Sequence, residues 1–317
     1  MTTHGKYRHL TRCSTDNGHF LILAVDHRGN LRADLDRHAA QPLSDAEFAA
    51  FKGQIAAAAG MASAVLTDPD FGLGSGIANR SVSGRQGLLA PLEVTDYALP
   101  GSARQIHLIT NWSVEKAKLC GVDGIKLLVF FHPKAADASM KRDQIAKIAE
   151  DCARWDIPLF LEPIPAPKDA ESRLVSAEIL EVSCQIAEYF SRCADVLKMQ
   201  FPLDIHETPD DNAWYSACRA LDAACRVPWA LLSGGVPFET FLKQAKIACA
   251  SGSSGVIVGR AVWQEAVALQ GEARRVFLEN RLPTRLAQLA EVCQSAVPWH
   301  VRVAAPSSAP HWYAEGG

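Results

Sequence analysis

The sequence predicts an α/β protein with a single (β/α)8, or TIM, barrel domain and extra helices at its termini. Two observations predict this fold. Eight short apolar runs recur along the 317-residue chain, and such runs are typical of parallel strands that are buried on both faces. Longer mixed stretches separate the runs, and most are long enough for a crossover helix. Strand and helix thus alternate eight times within about 250 residues, as in a (β/α)8 barrel.

Each predicted strand is rich in Val, Ile, Leu or Phe, and most end near a polar or charged residue. The eight runs are Phe20–Asp26, Ser63–Asp68, Leu88–Glu93, Gly124–Phe131, Pro158–Ile164, Val196–Pro202, Trp229–Gly235 and Gly255–Arg260. The third run is the least strand-like because Pro91 interrupts it. After the second run, Asp68 is followed by Pro69, Asp70 and Gly72, which predicts a turn.

An open, doubly wound sheet is the alternative arrangement of the same elements. Such a sheet would carry a glycine-rich nucleotide-binding motif after its first strand. No motif of that kind follows the first run, and the barrel is therefore preferred.

Several of the intervening stretches have helical periodicity or composition, among them Asp45–Ala62 and Ser176–Phe190. Before the first strand, Lys6–Asn17 is predicted to form a short helix that closes the bottom of the barrel. After the last strand, Ala261–Val297 is predicted to hold the eighth helix and an additional helical segment.

The predicted barrel domain covers residues 1–303, and residues 304–317 form a C-terminal tail. The tail is rich in small residues and proline, so we expect it to be poorly ordered unless Trp312 and Tyr313 dock on a neighbour. No linker divides the chain. The aromatic residues of the terminal segments are compatible with a homo-oligomer.

The composition is that of a globular protein with a large buried core, since 48% of the residues are hydrophobic and 21% are charged. Lys and Arg total 32 against 35 Asp and Glu, a net charge of −3, so no positive excess favours nucleic acid. No run approaches the length of a membrane span, and the first residues lack the apolar core of a secretory signal. We therefore expect a cytoplasmic protein without nucleic-acid or membrane partners.

The cysteine and histidine patterns do not indicate a redox or metal centre. The nine cysteines include no C-x-x-C pair, so we interpret them as reduced, mostly buried thiols with no catalytic role. The ten histidines include no H-E-x-x-H or similar ligand spacing. The sequence therefore predicts neither a catalytic metal nor a cofactor.

In barrels of this class the chemistry is carried by side chains at the C-terminal ends of the strands. Two lysines, Lys126 and Lys198, interrupt the otherwise apolar runs four and six. Burying a charged amine is unfavourable before any partner compensates, and burial together with a like charge nearby favours the neutral amine. A neutral amine can attack a ketone and form a Schiff base, which serves as an electron sink. We therefore predict Schiff-base chemistry, with Lys198 as the preferred nucleophile.

Two carboxylates are the candidates for proton transfer. Strands four and six contribute to the same interior layer, so Glu162 on the strand between them is expected beside both lysines. Asp26, at the end of the first run, is the second candidate. Alternation along run six places Gln200 on the same face as Lys198, towards the barrel mouth. The alternative interpretation is that each lysine only forms an interior ion pair with Asp26 or Glu162.

The ends of the last two strands are typical of an anion site. Ser233, Gly234 and Gly235 end run seven, and Gly259 and Arg260 end run eight. Barrels commonly seat a phosphate there, against glycine N–H groups and a helix N-terminus, and the planar guanidinium of arginine suits a phosphate or sulfonate. We predict that these residues bind the anionic end of a small sugar phosphate. The alternative is a tight turn that needs glycine for close packing.

The ordered set of these segments resembles one enzyme family. The segments are LAVDHRG (23–29), LTDPDFGLG (66–74), GLLAPLE (87–93), GIKLLVFF (124–131), IPLFLEPI (157–164), DVLKMQFP (195–202), LLSGGV (231–236) and VGRAVW (258–263). In this order they are similar to the class I tagatose-1,6-bisphosphate aldolases and to their relatives that cleave sulfofructose 1-phosphate.

The resemblance implies a role for each matching position. Lys198 is implied to be the Schiff-base lysine, and Glu162 the acid or base that transfers the proton. The implied substrate contacts are Asp26, His27, Arg28 and Lys126. The residues implied to hold an anionic end are Ser233, Gly235, Gly259 and Arg260. Two positions depart from the family, which has Gln in place of His27 and Glu in place of Gln200.

The implied activity is the reversible cleavage of a ketohexose phosphate, such as tagatose 1,6-bisphosphate, into dihydroxyacetone phosphate and glyceraldehyde 3-phosphate. Three alternatives stay open at this point. The first is a sulfofructose-phosphate aldolase that releases dihydroxyacetone phosphate and sulfolactaldehyde. The second is a barrel isomerase that uses Glu162 as a base without a covalent intermediate. The third is a non-catalytic sugar-phosphate sensor.

Overall fold

Eight parallel strands close into a barrel in the computed structural model, which describes residues 2–169 and 172–314. In chain order the strands are β1 Phe20–Ala24, β2 Ala64–Leu66, β3 Gly87–Pro91, β4 Gly124–Phe131, β5 Leu159–Pro165, β6 Val196–Met199, β7 Trp229–Leu232 and β8 Gly255–Val258. Each strand overlaps one of the predicted runs. β1 pairs with both β2 and β8, which closes the ring. The predicted (β/α)8 barrel is confirmed.

The third strand forms despite its proline. Pro91 is the last residue of β3 and lies opposite Lys126 in β4. The next residue, Leu92, donates its backbone N–H to the carbonyl of Lys126 at 3.0 Å. The ladder tolerates Pro91 because the missing donor falls at the strand end.

Helices surround the barrel on its outside. They are α1 His4–Arg12, α2 Gly29–Asp36, α3 Asp45–Ala58, α4 Gly74–Ala78, α5 Val114–Leu119, α6 Ala138–Arg154, α7 Ser176–Phe190, α8 Asp211–Ala224, α9 Phe238–Ala250, α10 Arg260–Trp263, α11 Gly271–Val276 and α12 Leu282–Cys293. α7 has the predicted bounds. α3 starts as predicted, with Ser44 and Glu47 forming a reciprocal capping box, but ends earlier, just before the poor helix former Gly60.

The N-terminal helix covers the end of the barrel at which the strands begin. α1 starts at His4 and ends at Arg12, so both of its ends lie earlier in the chain than those of the predicted segment 6–17. Leu10 and Cys13 are buried in one interior cluster with Phe20, the first residue of β1. The predicted closure of the barrel bottom is therefore present.

The C-terminal region beyond β8 contains α10, α11 and α12, so the predicted stretch holds more than one helix, as expected. The predicted tail extends to residues 315–317, which lie outside the described residues. Within the described part, the ring of Trp312 stacks on His4 with the ring centroids 3.7 Å apart. His4 also forms a hydrogen bond of 2.8 Å from Nε2 to the carbonyl of Ser307. These contacts join the tail to α1.

All nine cysteines lie in the described part of the chain, and none forms a disulfide. Six of them are buried, which agrees with the predicted packing role. Among the described helices, none is both long enough and apolar enough to cross a membrane.

Candidate active site

A cavity of about 500 Å³ lies at the C-terminal ends of the barrel strands. Eleven of the twelve site residues predicted from the sequence line it. They are Asp26, His27, Arg28, Lys126, Glu162, Lys198, Ser233, Gly234, Gly235, Gly259 and Arg260. These residues come from six different strands or the loops that follow them, so the closed topology brings together residues that are far apart in the chain.

Gln200 is the twelfth predicted residue, and it does not line the cavity. β6 ends at Met199. Gln200 therefore lies just beyond the strand, where the alternation of side chains assumed from the sequence no longer applies. Gln200 is partly exposed at the start of the following loop. The prediction that Gln200 faces the barrel mouth together with Lys198 therefore has no support in the lining of this cavity.

Lys198 and Glu162 form the centre of the cavity floor. Nζ of Lys198 lies 2.9 Å from Oε2 of Glu162, and the two side chains are only 8% and 10% exposed. The residue on β5 thus stands beside the lysine of β6, as the strand order predicts. A carboxylate at this distance can accept a proton directly from the lysine.

Lys126 contacts three carboxylates from three other strand ends. Its Nζ lies 2.6 Å from Oε1 of Glu93, 3.2 Å from Oδ2 of Asp26 and 3.2 Å from Oε2 of Glu162. Burial opposes the charged form, but the attraction of these carboxylates outweighs it and holds the pKa of Lys126 well above its ordinary value. The expectation of a neutral amine is wrong at Lys126, because burial was weighed without the carboxylates. Its alternative, an interior ion pair, is the arrangement found.

Asp26 and His27 line the cavity side by side. Burial alone would raise the pKa of Asp26, but the attraction of Lys126 and Lys198 holds it well below its ordinary value. Burial lowers the pKa of His27 to about 4 against the opposing attraction of Asp26. The ring of His27 packs edge-on against Trp263, with centroids 5.4 Å apart. At neutral pH the pair therefore presents an anionic carboxylate and an uncharged imidazole.

The ends of β7 and β8 form a cup beside these residues. The hydroxyl of Ser233 accepts the backbone N–H of Gly259 at 3.2 Å. Gly234 and Gly235 have φ of +58° and +78°, a conformation that favours glycine. A Cβ on Gly235 would lie 3.0 Å from the guanidinium of Arg260, and no carboxylate of the described residues forms a salt bridge with Arg260. An anion could therefore bind this guanidinium without displacing an internal partner.

Several residues at or near the site were not among the predicted ones, and three of them have titratable side chains. Glu93 ends the third predicted run, so its position was a usable signal. Tyr97 also lines the cavity, but it lies in a loop without a recognisable motif; the guanidinium of Arg104 packs over its ring at 5.0 Å. Lys52 of α3 is fully buried and contacts the backbone carbonyl of the cavity residue His27, and nothing in the composition of α3 distinguishes it from an exposed helical lysine.

Across residues 2–169 and 172–314, no group of three or more His, Cys, Asp or Glu side chains is arranged to hold a metal ion.

Comparison with protein families gives a match over most of the barrel. A family model described as DeoC/LacD family aldolase matches residues 20–265. Tagatose 1,6-diphosphate aldolase 1 of Enterococcus faecalis is 30% identical, over 92% of this chain and 95% of that protein. Tagatose 1,6-diphosphate aldolase of Lactococcus lactis subsp. lactis is 28% identical, over 96% of this chain and 100% of that protein.

Two solved structures show the same fold at lower sequence identity. An archaeal fructose-1,6-bisphosphate aldolase, solved with its catalytic Lys covalently bound to the carbinolamine intermediate, has a TM-score of 0.59 and 21% identity, over 91% of this chain and 99% of that one. A second structure, of a Schiff-base-forming fructose-1,6-bisphosphate aldolase, has a TM-score of 0.59 and 20% identity over the same shares.

Proposed function

Because the chain belongs to the DeoC/LacD family of aldolases, we propose that it is a class I, Schiff-base aldolase for a ketohexose phosphate. Tagatose 1,6-bisphosphate is the proposed substrate, and dihydroxyacetone phosphate and glyceraldehyde 3-phosphate are the proposed products. The names of the curated relatives support this substrate. The mechanism depends on the contact between Lys198 and Glu162, which is 2.9 Å long and buried at the cavity floor.

Formation of the covalent intermediate needs an uncharged Lys198. Glu162 accepts a proton from the ammonium group of Lys198, and the resulting amine attacks the C2 carbonyl of the substrate. Glu162 returns its proton to the hydroxyl of the carbinolamine, the hydroxyl leaves as water, and an iminium forms beside the regenerated carboxylate. The surroundings of Lys126 favour Lys198 as the nucleophile, because three neighbouring carboxylates keep Lys126 charged.

Cleavage then uses the iminium as an electron sink. Glu162 takes the proton of the C4 hydroxyl, the C3–C4 bond breaks, and its electron pair moves towards the iminium nitrogen. The aldehyde leaves, and an enamine remains on Lys198. Protonation of the enamine at C3 and hydrolysis of the iminium release dihydroxyacetone phosphate and restore the amine.

Arg260 and the glycine cup are proposed to hold a terminal phosphate. The guanidinium faces Gly235 and has no carboxylate partner in the described chain. Charge-assisted hydrogen bonds from a guanidinium to phosphate are directional and strong. A sulfonate has a similar arrangement of oxygen atoms, so 6-deoxy-6-sulfofructose 1-phosphate is the second candidate substrate. Measuring kcat/KM on both substrates separates the two.

Borohydride trapping tests the mechanism directly. Incubation with dihydroxyacetone phosphate and borohydride should reduce an iminium to a stable adduct, and peptide mapping should place that adduct on Lys198. Lys198→Met should give neither an adduct nor turnover. The proposal fails if the adduct forms on another lysine, or if Lys198→Met retains normal turnover.

A further inference from the structure

An ion pair that the proposed mechanism does not use lies between α3 and the loops that follow β1 and β2. Lys52 of α3 and Asp68, which follows β2, contact each other, and both side chains are 0% exposed. Removing two charges from water is unfavourable, and a buried ion pair often adds no net stability compared with apolar residues of similar volume. Net stability alone therefore does not account for this buried pair.

The second contact of Lys52 points to the active site. Its Nζ donates a hydrogen bond of 2.7 Å to the backbone carbonyl of His27. This carbonyl belongs to the peptide between His27 and Arg28. The orientation of that peptide helps to determine where the side chains on either side of it point, and His27 and Arg28 both line the cavity.

Asp68 joins the same contact to the neighbouring loop. Its Oδ2 pairs with Lys52, and its Oδ1 accepts the backbone N–H of Phe71 at 2.9 Å. This contact caps the π-helical segment Pro69–Leu73, which stands where the sequence predicted a turn. A second link runs parallel to this one, because Nη1 of Arg28 lies 3.3 Å from Oδ2 of Asp70. The loop after β1 is thus linked to the loop after β2 in two ways, directly by the Arg28–Asp70 ion pair and indirectly through Lys52, which contacts both His27 and Asp68.

We propose that Lys52 is a positioning residue, which holds the segment Asp26–Arg28 in the orientation needed for the reaction. Lys52 acts through its hydrogen bond to the His27 carbonyl. The inference rests on the proposed roles of Asp26 and His27 in the aldolase reaction. If the inference is correct, removing the Lys52 hydrogen bond lowers kcat more strongly than it lowers the stability of the fold.

Two variants isolate that hydrogen bond. In Asp68→Asn the charge partner of Lys52 is lost, but a buried lysine can release its proton and still donate to the His27 carbonyl. In the double variant Lys52→Met/Asp68→Asn, both charges are absent and the donor is gone. The two proteins therefore differ only at position 52, where the introduced Met is similar in length to Lys but cannot donate a hydrogen bond.

We expect Asp68→Asn to retain kcat within about threefold, and the double variant to lose about 10- to 100-fold in kcat, as expected when reacting groups are misplaced. Melting temperatures of the two variants should be similar. Equal kcat values in two folded proteins would overturn the proposal. If the double variant does not fold, Lys52→Gln/Asp68→Asn provides the same comparison, because its amide is too short to reach the carbonyl.

Lys141 offers a matched control. It is also buried, pairs with Asp137 at 2.9 Å and donates to the carbonyl of Phe130 at 2.9 Å, but it does not line the cavity. Lys141→Met should lower the melting temperature and leave kcat near the wild-type value. A loss of kcat as large as that of the double variant would show a general effect of removing a buried lysine and would contradict the proposal.

Wild-type protein distinguishes failure of this inference from failure of the proposed function. If borohydride traps no adduct on wild-type Lys198, the proposed function is wrong. If wild-type trapping and turnover are normal while the Lys52 variants are fully active, only the positioning role is wrong.

Discussion

Lys198 and Lys126 approach the same oxygen atom, Oε2 of Glu162, at 2.9 and 3.2 Å. Their remaining surroundings differ, because Lys126 also contacts Glu93 and Asp26. Removing a proton from Lys126 would leave three carboxylates without their shared cation. Removing one from Lys198 leaves Glu162 still paired with Lys126. The contacts thus separate a structural cation from a lysine that can become a nucleophile.

Replacing the carboxylate should separate cleavage from adduct formation. Glu162→Gln cannot take the proton from the C4 hydroxyl, so kcat should fall by about 10²- to 10⁴-fold, the usual contribution of a general base. Lys198 remains present, so prolonged incubation with dihydroxyacetone phosphate and borohydride should still label it. Steady-state kinetics and mass spectrometry of the labelled peptide measure the two effects. Retention of wild-type kcat would exclude Glu162 as the proton acceptor.

Removing the Lys126 cation should lower the stability of the fold, in addition to its effect on the neighbouring Glu162. Lys126→Met leaves the buried carboxylates of Glu93 and Asp26 without their lysine partner, while Glu162 keeps Lys198. Breaking a buried ion pair in this way typically lowers the free energy of unfolding by about 3–5 kcal/mol. Urea unfolding at pH 7 measures the loss. The loss should be smaller at pH 5, where the unpaired carboxylates bind protons more readily. An unchanged unfolding midpoint at pH 7 would contradict the assignment of Lys126 as a buried cation.

Arg260 should contribute to binding of the phosphate group. Arg260→Met should raise KM for the sugar phosphate by about 10- to 100-fold, because a hydrogen bond to a charged group contributes about 1.5–3 kcal/mol. Arg275→Met is the control, since Arg275 is exposed and pairs only with Glu272 and Glu279. Borohydride labelling with unphosphorylated dihydroxyacetone should be equally efficient in wild type and Arg260→Met. An equal loss with both ligands would argue against a phosphate site.

The imidazole of His27 should make the stability of the fold depend on pH. The pKa of His27 is about 4 in the folded protein against about 6.5 when unfolded, so between these values the unfolded chain binds the extra proton. His27 therefore destabilises the fold progressively as the pH falls from about 6.5 towards 4. His27→Gln should flatten this part of the melting-temperature profile.

His19 and His132 have lowered pKa values as well, so some acid sensitivity should persist in the His27→Gln variant. The lowered pKa of Asp26 acts in a different range. It stabilises the fold above the ordinary aspartate pKa, and this contribution is lost only as the pH falls well below 4. Identical profiles for wild type and His27→Gln would show that His27 is not buried as a neutral ring.

Much of the barrel and most of the site were predictable because both depend on local patterns. Strands that are buried on both faces need nearly continuous apolar runs, and a charged residue within or at the end of such a run is conspicuous. Lys198, Glu162 and Asp26 were found in this way. Gln200 was misplaced because the alternation rule holds only while the strand continues, and β6 ends at Met199.

The sequence by itself determined the fold class, the chain order of the strands and the residues that reach the mouth of the barrel. Tertiary structure alone decided the charge of Lys126 and the position of Lys52. The protonation of a buried amine depends on which carboxylates lie within a few ångströms, and here they come from separate strands. No local pattern contains that information, because those distances exist only after the barrel has closed.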